Sequence, residues 1–304
     1  MTHSLKMITA LGTPLTAEED LHPAGLEAQV QDQLTHGING FLVAGTMGLM
    51  QLLKDSTFRE LVERSVQFNA GHAELLVGVG DTSFVRTRER IRMVEDFAID
   101  GIVVISPYFL KYSQSDLVDY FEALADLSSR PVFLYDLPQT TGTKLEVDTV
   151  LQLAKHPNIR GIKCSDHFTT IRPVIDAVGE EFRVIVAQPN LMDVLLQAGV
   201  REHLDGIYIV VPEWIEAMVE ATLVKDWDRL ALVQQDLSAL LKLLTTFSAP
   251  LFSTVTTLMN ERGIPGNFAP QPMRPVTAAE REQLLAHPLV QKVLTGKPIT
   301  SVEA

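Results

Sequence analysis

The chain of 304 residues holds a single cysteine, Cys164, so it can build neither an internal disulfide nor a cysteine-based zinc cluster. Basic residues are scarce: 25 lysines and arginines face 38 aspartates and glutamates. The resulting formal charge of −13 repels phosphate backbones and anionic bilayers, which argues against nucleic acid and membrane as partners. No apolar run approaches the roughly 20 residues that a membrane helix needs. Met1 to Thr13 carry no basic segment followed by a long apolar core, so a cytoplasmic protein is expected. The eight histidines show no His-Glu-x-x-His spacing, and no metal site is expected. In the turn Gly78-Val79-Gly80, Ser83 stands where a dinucleotide fingerprint needs its third glycine. No organic cofactor is expected either.

What the sequence does contain is alternation. Short apolar runs rich in β-branched residues are separated by longer segments of helical period, the pattern of repeated βα units around a parallel sheet. The strands read as Lys6–Leu11, Gly40–Ala44, Glu74–Gly78, Gly101–Ser106, Val132–Tyr135, Ile159–Lys163, Arg183–Ala187 and Gly206–Val210. Runs such as Ile102-Val103-Val104-Ile105 do not alternate with polar residues, as expected for strands covered on both faces. Eight units predict a (β/α)8 TIM barrel over residues 1–225. A C-terminal helical extension packed on it is expected over 226–304, with the proline- and glycine-rich stretch Gly263–Pro275 as a connector inside it.

In such a barrel the chemistry gathers where strands end, because the βα loops converge on one mouth. Strand two runs into Gly45-Thr46-Met47-Gly48, strand five into Tyr135-Asp136-Leu137-Pro138 and strand six into Lys163-Cys164-Ser165. A lysine at an apolar strand end is partly desolvated, which favours the uncharged amine that attacks a ketone. A nearby tyrosine can carry protons to and from the carbinolamine. Glycines flanking Thr46 and Met47 allow backbone N–H groups to approach a carboxylate. The set suits a small 2-oxo acid. Taken singly each feature is ordinary: a strand-end lysine is usually solvated, a tyrosine usually packs, and a glycine pair is usually a turn. Cys164 is expected to point away from Lys163 by strand alternation.

These residues resemble the N-acetylneuraminate lyase and dihydrodipicolinate synthase superfamily of class I pyruvate aldolases. Gly12-Thr13-Pro14, Gly45-Thr46-Met47-Gly48, Ser106-Pro107-Tyr108, Tyr135-Asp136-Leu137-Pro138 and Gly161-Ile162-Lys163 fall in that family's order and spacing over about residues 5 to 225. The resemblance implies a Schiff base on Lys163, with Tyr135 and Thr46 as the other catalytic residues, and a homotetramer. The substrate-binding residues expected around them are Met47, Gly48, Phe109, Thr140, Ser165, Gln188, Asn190, Gly206 and Tyr208, with a helix N-cap an equal reading of Ser165. The chain departs from the family pattern at Met47 and Leu49, which replace a hydroxyl residue and a glutamate. Phe109 stands in place of a relay tyrosine, and Thr140 in place of an arginine. Gln188-Pro189-Asn190 lacks the acidic residues with which sialic-acid lyases grip their sugar.

The function expected is cleavage of a 2-keto-3-deoxy sugar acid, or a related 4-hydroxy-2-oxo acid, to pyruvate and an aldehyde. A hydro-lyase using the same imine is an alternative, and so is a relative of the synthases that binds a small acid without the usual activity. Met47, Leu49, Phe109 and Tyr208 would give an apolar mouth, fitting an aromatic or deoxygenated tail better than a sugar.

Overall fold

The computed structural model describes residues 5–296; the first four residues and 297–304 of the two expected spans lie outside it. Eight parallel strands close into a barrel in sequence order: β1 Lys6–Ala10, β2 Gly40–Val43, β3 Glu74–Gly78, β4 Gly101–Ile105, β5 Val132–Asp136, β6 Ile159–Cys164, β7 Arg183–Val186 and β8 Glu202–Asp205. Strand alternation divides the core in two. Ile8, Leu42, Leu76, Val103, Phe133, Ile185 and Leu204 fill the barrel, while their neighbours pack outward against the helices. Cys164 belongs to the outer layer, 1% exposed, where burial pushes its thiol up to about 12.

The bottom of the barrel is closed by charge. Arg183 donates to both carboxylate oxygens of Glu74 and of Glu202, Lys6 donates to Glu74 at 2.9 Å, and the Arg183 guanidinium lies over the Phe133 ring. Each member lies on a strand and points inward, so the network ties β1, β3, β7 and β8 together at the end away from the mouth.

The eighth strand lies earlier in the chain than the apolar run Gly206–Val210 predicts. β8 pairs with β1 through Lys6↔Glu202 and Ile8↔Leu204, and it ends at Asp205. The Asp205 carboxylate then accepts the Ile207 N–H at 2.9 Å and turns the chain into a 3-10 turn over Ile207–Ile209. Ile207, Tyr208, Ile209 and Val210 are buried without belonging to the sheet, so their apolar character reflects coverage by helices. The true strand is disguised by Glu202, His203 and Asp205, each of which has a particular polar partner: Arg183, the Val200 carbonyl and the Ile207 N–H.

Beyond the helix Pro212–Val224 come the helices Trp227–Thr246, Leu251–Glu261, Ala278–Ala286 and Pro288–Thr295. Asp226 caps the first of these through the Arg229 N–H, and a capping box of Thr277 and Glu280 starts the third. Trp227–Thr246 packs on Pro212–Val224 and on the segment after β7, and so reaches the barrel mouth. Among the described residues no helix is long and apolar enough to cross a membrane.

Candidate active site

Register places the two central side chains together. Tyr135 on β5 lies opposite Lys163 on β6, both at inward-facing positions near the C-terminal ends of their strands. Lys163 is 5% exposed and Tyr135 3%. The Lys163 Nζ sits 3.8 Å from the centre of the Tyr135 ring and donates to Ser165 Oγ at 2.7 Å. The Tyr135 hydroxyl shares a hydrogen bond of 3.0 Å with Thr46 Oγ1, whose other neighbour is Met50 Sδ at 3.5 Å. A buried amine and a buried phenol thus meet the half-buried Ser165 hydroxyl and the exposed Thr46 hydroxyl, with Tyr135 and Thr46 lying 28 and 117 residues before Lys163 in the chain.

The turn that carries Thr46 is bent by unusual backbone. Ala44, Leu49 and Met50 all have positive φ, of 51°, 69° and 30°. Gly45 and Gly48 are not among the residues with positive φ. Gly48 is required for closeness instead: a Cβ there would lie 2.9 Å from Ala44 backbone atoms and 3.0 Å from the Leu11 carbonyl oxygen. The Leu49 and Met50 N–H groups close the turn on the Thr46 and Gly45 carbonyls. The Thr46 and Met47 N–H groups have no backbone partner among the described residues.

A cavity of about 410 Å³ opens over these groups. Of the residues singled out in the sequence, Lys163, Tyr135, Thr46, Met47, Thr140, Ser165 and Gly206 line it. Gly206 leaves room for Met47, since a Cβ would stand 2.8 Å from that side chain. Five others do not line it. Gly48 lies beneath the turn, its carbonyl accepting the Thr13 hydroxyl at 2.7 Å. Phe109 is 91% exposed with φ of 86°, turned off the mouth into solvent. Tyr208 is 1% exposed and donates to Met192 Sδ at 3.3 Å, because it belongs to the buried 3-10 turn and not to a strand. Gln188 donates to the Asp166 carbonyl, and Asn190 is exposed on the turn Pro189–Leu191.

Asp205 and the far wall of the cavity have no counterpart among the residues expected from sequence. Asp205 borders the cavity at the end of β8; burial raises its carboxyl above the ordinary range, against the opposing pull of the Ile207 N–H and the Lys163 charge. Its signal was the Asp-Gly pair at a strand end, hidden by misplacing β8. The far wall comes from Leu241, Leu244, Leu251, Phe252 and Val255, in the helices Trp227–Thr246 and Leu251–Glu261. Only the fold brings these residues to the mouth.

A family model of the dihydrodipicolinate synthetase family matches residues 3–291. The chain belongs to that family. It is thereby an enzyme of the lysine-dependent, class I aldolase type. Family membership agrees with the closed eight-stranded barrel and its C-terminal helices. A 4-hydroxy-tetrahydrodipicolinate synthase of Exiguobacterium sibiricum is 29% identical over 244 residues, which is 80% of this chain and 83% of that one. A dihydrodipicolinate synthase from Bacillus anthracis superposes with a TM-score of 0.87 at 22% identity, over 98% of this chain and 100% of that one. A prophage protein of the dihydrodipicolinic acid synthase family from E. coli K12, solved in complex with pyruvate, reaches 0.87 at 25% identity, over 95% and 98%.

Proposed function

We propose that the protein cleaves a 4-hydroxy-2-oxo acid of the 2-keto-3-deoxy class to pyruvate and an aldehyde, through a Schiff base on Lys163. The observation that carries this reading is the buried Lys163 amine against the face of Tyr135, with the Tyr135 and Thr46 hydroxyls joined beside it. The Thr46 and Met47 N–H groups, left free by the turn, suit the carboxylate of a 2-oxo acid. That a relative was solved in complex with pyruvate supports the same assignment.

In this mechanism the Lys163 amine adds to the C2 carbonyl to give a carbinolamine. Tyr135 gives its proton to the departing hydroxyl, water leaves, and a protonated imine remains with a Tyr135 phenolate beside it. The phenolate takes the C4 hydroxyl proton as the C3–C4 bond breaks; its electron pair flows into the imine, releasing an aldehyde and leaving the enamine. Tyr135 then protonates C3, and water, deprotonated by the phenolate, hydrolyses the imine to pyruvate. The hydrogen bond between Tyr135 and Thr46 holds the phenol in place and stabilises its charged form.

Substituting Lys163→Met should abolish pyruvate release from 4-hydroxy-2-oxo acids, a loss of at least about three orders of magnitude. Full activity of that variant would contradict the reading. Recovery of a product with an intact carbon skeleton would mark a hydro-lyase. The synthase names of the relatives support a second reading, in which the enamine runs the same steps backwards and adds to an aldehyde. Incubating pyruvate with aldehydes and assaying the condensation product separates the two directions.

We also infer a homotetramer. Phe109 and Leu110, 91% and 60% exposed after β4, form the kind of apolar surface that assembly covers. One structural neighbour is a monomeric dihydrodipicolinate synthase variant, so this fold also occurs without partners. The division into a barrel over residues 1–225 and a helical extension from 226 is proposed as two parts of one folding unit, given the packing of Trp227–Thr246 on Pro212–Val224.

A further inference from the structure

The cavity that holds Lys163 has a second wall whose chemistry differs from that of the strand ends. Leu241, Leu244, Leu251, Phe252 and Val255 present carbon to the space above the amine, with Leu137 beside them. Three polar side chains border this part, and two of them are already engaged. The Thr245 hydroxyl donates to the Leu241 carbonyl at 2.8 Å, within its own helix. One Asp205 carboxylate oxygen is taken by the Ile207 N–H. Thr140 stands exposed at the lip. The remaining polar groups of the cavity are joined to one another in the pairs Lys163 with Ser165 and Tyr135 with Thr46. Among the described residues, the wall contributes no arginine, glutamate, histidine, asparagine or glutamine to the lining.

We infer that the aldehyde half of the substrate is apolar, an aryl or branched alkyl group at C4 in place of a polyhydroxylated chain; this rests on the Schiff-base reading of Lys163. A sugar tail seated against this wall would exchange water for carbon, and each hydroxyl left without a partner would oppose binding. A phenyl or branched alkyl tail loses nothing polar and gains apolar burial and dispersion contacts. At about 410 Å³ the cavity lies in the range of small-molecule sites and holds more than a three-carbon keto acid. The selecting residues belong to the C-terminal helices, so the extension decides the tail while the barrel performs the bond cleavage.

The test compares two substrates on the intact protein: 4-hydroxy-2-oxo acids bearing a phenyl group or a dihydroxyethyl group at C4, each followed by pyruvate release. In parallel, pyruvate and borohydride report whether Lys163 forms the imine at all. The expected result is a labelled Lys163 and a kcat/KM for the phenyl substrate roughly 10–100-fold higher. Phe252→Asn should narrow that ratio about tenfold. Leu251→Ser, at a position 40% exposed, gives a second variant whose folding can be checked by circular dichroism. A labelled Lys163 with equal or inverted preference overturns the inference and leaves the Schiff-base reading standing. An unlabelled Lys163 overturns that reading, and the inference with it.

Discussion

In the proposed mechanism the smallest unit that decides the chemistry is the contact between one amine and one phenol. Lys163 lies on the ring face of Tyr135, whose hydroxyl is held by Thr46, so removing the hydroxyl alone should leave the amine in place. Tyr135→Phe is therefore expected to lower kcat by about 10² to 10⁴ and to slow imine formation without abolishing it, read by steady-state kinetics and the rate of borohydride labelling. Unchanged kcat would remove Tyr135 from the proton path. A second buried group makes a prediction about pH. His203, fully buried on β8, has its Nε2 on the Val200 carbonyl at 3.2 Å and its Nδ1 without a partner among the described residues; burial lowers it to about 4. The unfolded chain protonates this ring near 6.5, so between there and about 4 the unfolded state binds the extra proton. Stability therefore falls as pH drops through that window, by about 3 kcal/mol in all, and levels off below it. His203→Gln should flatten that part of the curve in urea titrations at stepped pH, whereas an unchanged slope would place the acid sensitivity elsewhere.

At the scale of strands and turns, the inward charge network below the barrel is a prediction of its own. Arg183 bridges Glu74 and Glu202, and Arg183→Leu leaves the half-buried Glu202 without a side-chain partner and Glu74 with Lys6 alone. The cost should be about 3 kcal/mol, relieved in part by adding Glu74→Gln, as measured by chemical denaturation. A cost no larger than that of an average exposed position would show the network to be solvated. Elements are legible in the sequence wherever a strand is a continuous apolar run, as in β2, β4 and most of β3 and β5. That rule failed at β8, where Glu202, His203 and Asp205 are polar but individually satisfied, while the apolar Gly206–Val210 coils into a turn covered by helices. The misplaced strand carried errors with it: Tyr208 was credited to the cavity and Asp205 was missed. Lys163 and Tyr135 are legible because they fall near the ends of strands that the sequence marks clearly, and Thr46 because it lies in the turn directly after one.

For the molecule as a whole, the cavity over Lys163 spans parts of the chain that no local pattern connects. The sequence places the amine and the phenol at one mouth, but the apolar wall comes from Leu241 to Val255 and depends on how Trp227–Thr246 docks against the barrel. Amphipathic period shows only that these helices have an apolar face, not what it covers. Assembly is similar: Phe109, read as a cavity residue, is surface in the single chain. If a second copy covers it, Phe109→Asp should convert a tetramer to smaller species in sedimentation velocity, and wild-type protein that sediments as a monomer would contradict the assembly inferred. The account rests most heavily on imine formation at Lys163. Treating the intact protein with pyruvate and borohydride, digesting it and sequencing the modified peptide by mass spectrometry tests this directly. The predicted result is one N-carboxyethyl group on Lys163, absent from Lys163→Met; modification of another lysine, or none, would contradict it.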